Sequence, residues 1–286
     1  MTGEGSATIL VIGATAHFGR QTVEALAGVG RKVRALSRTP EKAGLPEGVE
    51  VVRGDLARPE TLGAALDGVT ELFLVLPYGM DVQPLLERVR QSGVRQIVFL
   101  SSGAVVDGAD PQPDVIAAYH ARVEQEITAT GIDRTFLRLF FPAINSPAWA
   151  MQLQGGDVLR GPHAAAAASL VHERDVADAA AAVLGSPAHF GRVYELTGPQ
   201  SLTRTEQVET LGQVLGRELR FEEVPAPVVR QQLSRFMDAD FVAALLDLMA
   251  DTAGRPAPVN DAVEQLIGHP PRPYTQWVTD NLAAFR

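Results

Sequence analysis

Ala7-Thr8-Ile9-Leu10-Val11-Ile12-Gly13-Ala14-Thr15-Ala16-His17-Phe18-Gly19 is the stretch on which the fold turns. Its apolar half reads as a buried strand, its middle as a tight turn, and a helix is expected from about Phe18. Each glycine has a separate physical use: Gly13 permits the turn and Gly19 lets helix and strand approach closely. A pyrophosphate then sits on free backbone N–H groups at the positive end of the helix, without any lysine. The candidate cofactor-binding residues here are Gly13, Thr15, Ala16, His17, Phe18 and Gly19. Dinucleotide loops usually carry a third glycine between these two; Ala16 stands there instead and adds a methyl group near the phosphates. A plain strand-to-helix turn would use the same glycines, so the surrounding pattern must support the reading.

Outward from the loop, short runs rich in Val, Ile and Leu recur at Lys32–Leu36, Val49–Val52, Glu71–Leu76 and Arg95–Leu100. Stretches of helical period alternate with them at Phe18–Ala27, Glu60–Leu66 and Val82–Gln91. A helix Val115–Thr130, a strand Arg134–Phe140, a helix Asp175–Leu184 and a strand Val193–Leu196 continue the series. Strands alternating with helices predict βαβ units and a doubly wound parallel α/β sheet of the Rossmann type. Thr205–Leu215 and nearly all of Val228–Arg286 read as helical, a smaller, mainly helical C-terminal substrate domain. The expected partition is discontinuous: 1–147 plus about 170–198 for the nucleotide-binding domain, about 148–169 plus 199–286 for the substrate or lid domain. The run Ala164–Ala168 reads as filler without a role.

The end of the second strand separates the two nicotinamide cofactors, because a carboxylate there would hold a bare ribose diol. Ser37 and Arg38 occupy it. A hydroxyl and a guanidinium suit a 2′-phosphate, which predicts NADP(H). The competing reading of Arg38 is a solvated surface arginine.

Composition narrows the remaining classes. Hydrophobic residues are 46% and charged residues 21% of 286, the balance of a globular enzyme. The formal charge of -9, with no Lys/Arg block, argues against a nucleic-acid partner. The chain has no cysteine, which excludes disulfides, thiolate nucleophiles and Cys-based metal sites. Its start, MTGEGSATILVIG, has no basic region followed by a long apolar stretch, so no membrane association and a cytoplasmic location are expected. The six histidines show no compact ligand spacing, so no metal site is expected, and Phe99-Leu100-Ser101-Ser102-Gly103 lacks the first glycine of a hydrolase elbow.

With the loop ILVIGATAHFG, the strand VRALSR, VEVVRGDL, IVFLSS, YHARVEQEITATGIDRTFLRLFF, HERDVADAAAAVL and GRVYELTGPQSLT, most of the chain resembles the NmrA-like group of atypical short-chain dehydrogenases/reductases. That group includes NAD(P)H:quinone reductases and NADP-sensing regulators. The resemblance implies that Asp55 and Leu56 contact the adenine, that Leu76 and Pro77 flank the nicotinamide ribose, and that the segment after Leu139, including Phe141, closes over the nicotinamide. A turn-capping aspartate after a strand is the other reading of Asp55.

Short-chain reductases commonly combine a serine after the fifth strand with a Tyr and, four residues on, a Lys. Ser101 and Ser102 match the serine. With the helix aligned on its end at Thr130-Gly131, Ile116 falls at the tyrosine position and His120 at the lysine position. Tyr119 is followed four residues later by Val123, so no shift of register restores the pair. Three possibilities stay open: His120 donates a proton or binds the ribose, hydride passes to an acceptor such as a quinone that needs little acid assistance, or no reaction occurs. Tyr78, Met80, Tyr119, Phe141 and Trp149 are candidates to line an apolar substrate pocket, with ordinary core packing as the alternative.

Two functions follow as expectations. One is an NADPH-dependent oxidoreductase acting on a small quinone or carbonyl acceptor, as a monomer or homodimer, with His120, Ser101 and Ser102 near the reacting centre. The other is a non-catalytic NADP(H)-sensing regulator that acts through a protein partner.

Overall fold

The computed structural model describes residues 7–285. The chain runs β1 (Thr8–Ile12), α1 (His17–Gly28), β2 (Lys32–Ser37), β3 (Glu50–Arg53), α2 (Gly63–Leu66), β4 (Val69–Leu74), α3 (Gln83–Arg90), β5 (Gln96–Ser102), α4 (Val115–Ala129) and β6 (Asp133–Leu139). It continues α5 (Ala150–Leu153), β7 (Val158–Gly161), β8 (Ala167–Ala168), α6 (Glu173–Val183), β9 (Val193–Leu196), β10 (Leu202–Thr203), α7 (Arg204–Leu215), β11 (Arg220–Glu223), α8 (Ala226–Leu233), α9 (Ala239–Asp251), α10 (Ala262–Ile267) and α11 (Tyr274–Asp280).

Seven strands form one sheet in the order β3-β2-β1-β4-β5-β6-β9. All five residues of β1 are buried, as a strand covered on both faces requires. It pairs in parallel with β2 from Thr8↔Lys32 to Val11↔Ala35 and with β4 up to Ile12↔Leu74. The chain moves outward from β1 to β3, then crosses back to β4, so the strand order reverses beside the end of β1. An open α/β sheet binds its ligand at such a reversal, outside the carboxyl ends of the strands. This is the doubly wound Rossmann architecture that the alternating pattern predicts. No helix among the described residues is long and apolar enough to cross a membrane.

The contacts divide the chain into two compact units. The first holds the described residues up to Ser102, Tyr119–Arg138 and Glu173–Tyr194. Its core gathers Leu10, Ile12, Leu72, Leu74, Ile97, Phe99, Val123 and Phe136; α1 packs on α6 and buries Thr22, Val23 and Leu26. The second unit holds Gly103–Ala118, Leu139–His172 and the described residues from Glu195. Its core is aromatic, built on Trp149, Tyr274, Trp277 and Phe285 with Leu159, Val208 and Leu211. Residues 139–147, placed by the sequence with the nucleotide-binding part, lie in this second unit because Phe141 and Ala143 exchange backbone hydrogen bonds with Val171 at 3.1 and 3.0 Å.

Several local elements differ from expectation. Glu60–Leu66 is a 3-10 turn, Pro59–Leu62, followed by the single turn α2, with Gly63, a poor helix former, where the two meet. The alanine run is not filler: Ala166, Ala167 and Ala168 are buried, and β8 pairs antiparallel with β10. The helical C-terminal stretch is four separate helices, and β7 pairs in parallel with β11 within the second unit.

Candidate functional site

Within the first unit, Gly13 stands just past β1 with φ +80, a conformation that favours glycine. A Cβ there would lie 2.7 Å from the Val75 carbonyl oxygen, and one on Gly19 would lie 2.2 Å from the Gly13 carbonyl oxygen. Both positions exclude any side chain. The loop closes with the Ala16 N–H donating to the Gly13 carbonyl at 2.9 Å, and Ala16 caps α1 without a side-chain hydrogen bond. No acidic side chain occupies the first turn, and the leading N–H groups of α1 have no partner within the helix. Thr15, Ala16 and His17 are exposed around this end, Phe18 is half-buried and Gly19 buried. A helix N-terminus with no side-chain cap is chemically suited to a pyrophosphate.

The ends of β2 and β3 build the next part. Ser37 is buried and its Oγ accepts the Thr39 N–H at 3.1 Å. Arg38 is exposed, and among the described residues no carboxylate pairs with its guanidinium. It borders a hollow of about 310 Å³ together with Arg53, Gly54, Asp55, Arg58 and Thr61. Arg53 donates to the Arg38 carbonyl at 2.7 Å and pairs with Glu41 at 3.0 Å. Arg58 lies 3.4 Å from Asp55. Asp55 also accepts the Ala57 N–H at 3.1 Å, so its carboxylate caps the turn after β3. Leu56 packs on the first core. Sequence reasoning named Arg38 but missed Arg53 and Arg58, which reach this hollow only through the pairing of β2 with β3.

Beyond β4, Leu76 packs on the core, and the Pro77 carbonyl accepts the Tyr119 hydroxyl at 2.9 Å. Tyr78 stacks obliquely on Tyr119, ring centres 5.0 Å apart, and Tyr119 meets the edge of His120 at 5.1 Å. His120 lies in turn over Phe99 at 6.2 Å. Burial pushes the Tyr119 phenol above its ordinary value, although Arg122 beside it acts in the opposite direction. Its proton is therefore held and directed at a backbone carbonyl. Met80 takes part through its carbonyl, which accepts from Arg122 at 3.4 Å.

At the end of β5 the two serines differ. Ser101 is buried, and its Oγ donates to Glu124 Oε1 at 2.6 Å. Glu124 is clamped by Arg138, Nε to Oε1 at 3.0 Å and Nη2 to Oε2 at 2.7 Å, all three side chains being buried. Ser102 is half-buried one residue further on. Ile116 is buried. The first unit thus brings the loop, Ser37, Arg38, Asp55, Leu56, Leu76, Pro77, Tyr78, Ser101 and Ser102 to the carboxyl ends of its strands. Phe141 and Trp149 belong to the second unit, where Phe141 packs on the aromatic core and Trp149 is buried beside Arg204.

The model of the NmrA-like family matches residues 5–265. A (4-alkanoyl-5-oxo-2,5-dihydrofuran-3-yl)methyl phosphate reductase of Streptomyces griseus is 35% identical, over 97% of this chain and 99% of its own length. An NAD(P)H azoreductase of Xenophilus azovorans is 29% identical, over 97% and 99%. Among solved structures, an NADPH-dependent quinone oxidoreductase of Escherichia coli superposes with a TM-score of 0.80 at 25% identity, covering 96% of this chain and 99% of that one.

Proposed function

The chain belongs to the NmrA-like family, and from that membership we propose an NADPH-dependent reductase that passes hydride to a small acceptor with a carbonyl-conjugated, quinonoid or azo π-system. That it is an NAD(P)H-dependent reductase follows from full-length relatives of that activity. The observation that carries the choice of NADP(H) is Arg38, a guanidinium at the end of β2 without a carboxylate partner among the described residues.

NADPH seated there supplies the hydride. Gly13, Gly19 and the first N–H groups of α1 hold the pyrophosphate, Arg38 and Ser37 the 2′-phosphate side, and Asp55 and Leu56 the adenine. Leu76 and Pro77 of the first unit are assigned to the nicotinamide end. On the proposed alignment of α4 by its end at Thr130-Gly131, Ile116 and His120 take the places of the usual Tyr and Lys. His120, half-buried against Tyr119 and Phe99, is the group assigned to the ribose or to proton delivery, with Ser102 beside the reacting centre. Ser101, already donating to Glu124, supports the end of β5. Tyr78, Met80 and Tyr119 are the proposed acceptor-lining residues of the first unit. An acceptor that gives a stabilised anion on taking hydride needs little acid assistance, which suits a site without a tyrosine acid.

The test follows loss of reduced-nicotinamide absorbance with quinones, azo dyes and unsaturated lactones, for the wild type and His120→Ala. Steady turnover with at least one class is expected, and the variant should slow carbonyl or lactone reduction more than quinone reduction. NADPH binding with no turnover in any class would overturn the enzyme reading.

A further inference from the structure

Arg204 opens α7 in the second unit, and its surroundings are unusual for an arginine. Its guanidinium carbon stands 5.4 Å from the ring centre of Trp149 and 5.5 Å from that of Phe221. Nε is buried without any hydrogen-bond partner, and the hydrogen-bond contact of Nη1 is the Met249 thioether at 3.9 Å. Among the described residues no carboxylate pairs with it. The ionisable group facing it is Tyr274, whose phenol burial holds up to about 12, so it brings no negative charge near neutral pH. Desolvation pulls the guanidinium below its usual range.

Separate elements converge to make this arrangement. The β7–β11 ladder sets Phe221 opposite Leu159 and brings Gly161 to the cation. A Cβ on Gly161 would lie 3.1 Å from Nη2 and 3.2 Å from the Phe221 ring, so the glycine keeps the seat clear. Aromatic faces offset part of the lost hydration of a cation, but they accept no N–H hydrogen bonds of ordinary strength. A buried charge normally has a hydrogen-bonded counter-charge, and the fork of an arginine matches a phosphate or carboxylate.

We propose that Arg204, walled by Trp149 and Phe221, is an oxyanion-binding site of the second unit that takes the phosphate monoester carried by the acceptor. This rests on the reductase reading, and the 35% identical relative, named for a methyl phosphate substrate, supports the choice of a phosphate over a carboxylate.

Binding is measured first without turnover. Methyl phosphate is titrated into the chain saturated with NADP+, so that the dinucleotide occupies its own phosphate contacts, and tryptophan fluorescence or heat is followed. Saturable binding is expected, weakened roughly tenfold or more in Arg204→Met, as loss of charge-assisted hydrogen bonds requires, with NADP+ affinity unchanged. Arg204→Lys, which keeps the charge and loses the fork, should bind more weakly than wild type, and it decides the matter if Arg204→Met does not fold. Equal methyl phosphate binding by wild type and variants overturns the proposal. In the kinetic arm, KM for a phosphorylated unsaturated lactone should rise by the same factor in the variant, while KM for the dephosphorylated alcohol stays put. If inorganic phosphate binds at Arg204 but wild type uses both lactones alike, the site serves a free ion and the proposal fails. If nothing turns over yet methyl phosphate binds through Arg204, the reductase reading fails and the oxyanion site stands.

Discussion

At Gly19 one methyl group would place a carbon 2.2 Å from a carbonyl oxygen, and at Arg38 one guanidinium lacks a carboxylate among the described residues. On the proposed reading these residues divide the labour: the glycines would admit a dinucleotide, and Arg38 would select which one. Charge-assisted hydrogen bonds to a 2′-phosphate contribute about 1.5–3 kcal/mol, roughly ten- to hundredfold in affinity. Arg38→Asp is therefore expected to raise the Kd for NADPH by that factor and to leave NADH unchanged or slightly improved, read by fluorescence titration of both cofactors. Equal binding of the two by wild type and variant alike would remove Arg38 from the choice. Both features are legible in the sequence because each depends on one residue at the end of one strand. Arg53 and Arg58 were not, since only the β2–β3 pairing brings them to the same hollow.

Among the elements, β5, α4 and β6 are tied by side chains that carry no apolar period. Strand β6 reads as Asp133-Arg134-Thr135-Phe136-Leu137-Arg138-Leu139, and a pattern of apolar residues marks Arg138 as an interruption. In the fold it is buried against Glu124, which also holds Ser101. Buried parallel strands announce themselves as continuous Val, Ile and Leu runs, which is why the sheet could be read so far along the chain. An ion pair between residues fourteen apart leaves no such mark, and neither do β7 and β11, short strands whose ladder joins residues about sixty apart. Removing one partner of a buried pair leaves an uncompensated charge and costs about 3–5 kcal/mol. Glu124→Gln should lower the urea midpoint accordingly, whereas Glu124→Leu combined with Arg138→Met should recover much of the loss. A single variant as stable as wild type would show that the pair adds nothing to the hold on β5.

For the molecule as a whole, each of the two units has its own core, aliphatic around the sheet and aromatic in the second. The aromatic core gives the chain a particular response to alkaline pH. Tyr274 is 2% exposed, stacks on Trp277 with ring centres 5.8 Å apart, and donates its hydroxyl to Ser146 at 2.9 Å. Burial, the largest cause, pushes this phenol from its ordinary value near 10 up to about 12. An unfolded chain releases the proton first, so between those values the folded state binds more protons and stability must fall as pH rises. Below pH of about 10 both states keep the proton and the group contributes no slope. Burial shifts Tyr119 in the same direction, so a reduced slope should persist when Tyr274 is removed. Thermal unfolding followed across this alkaline window is expected to show Tm falling more steeply in wild type than in Tyr274→Phe, whose Tm starts lower for want of the Ser146 hydrogen bond. Parallel curves across the window would mean that Tyr274 ionises in the folded state as readily as in water, and that the second core is wet where its packing makes it dry.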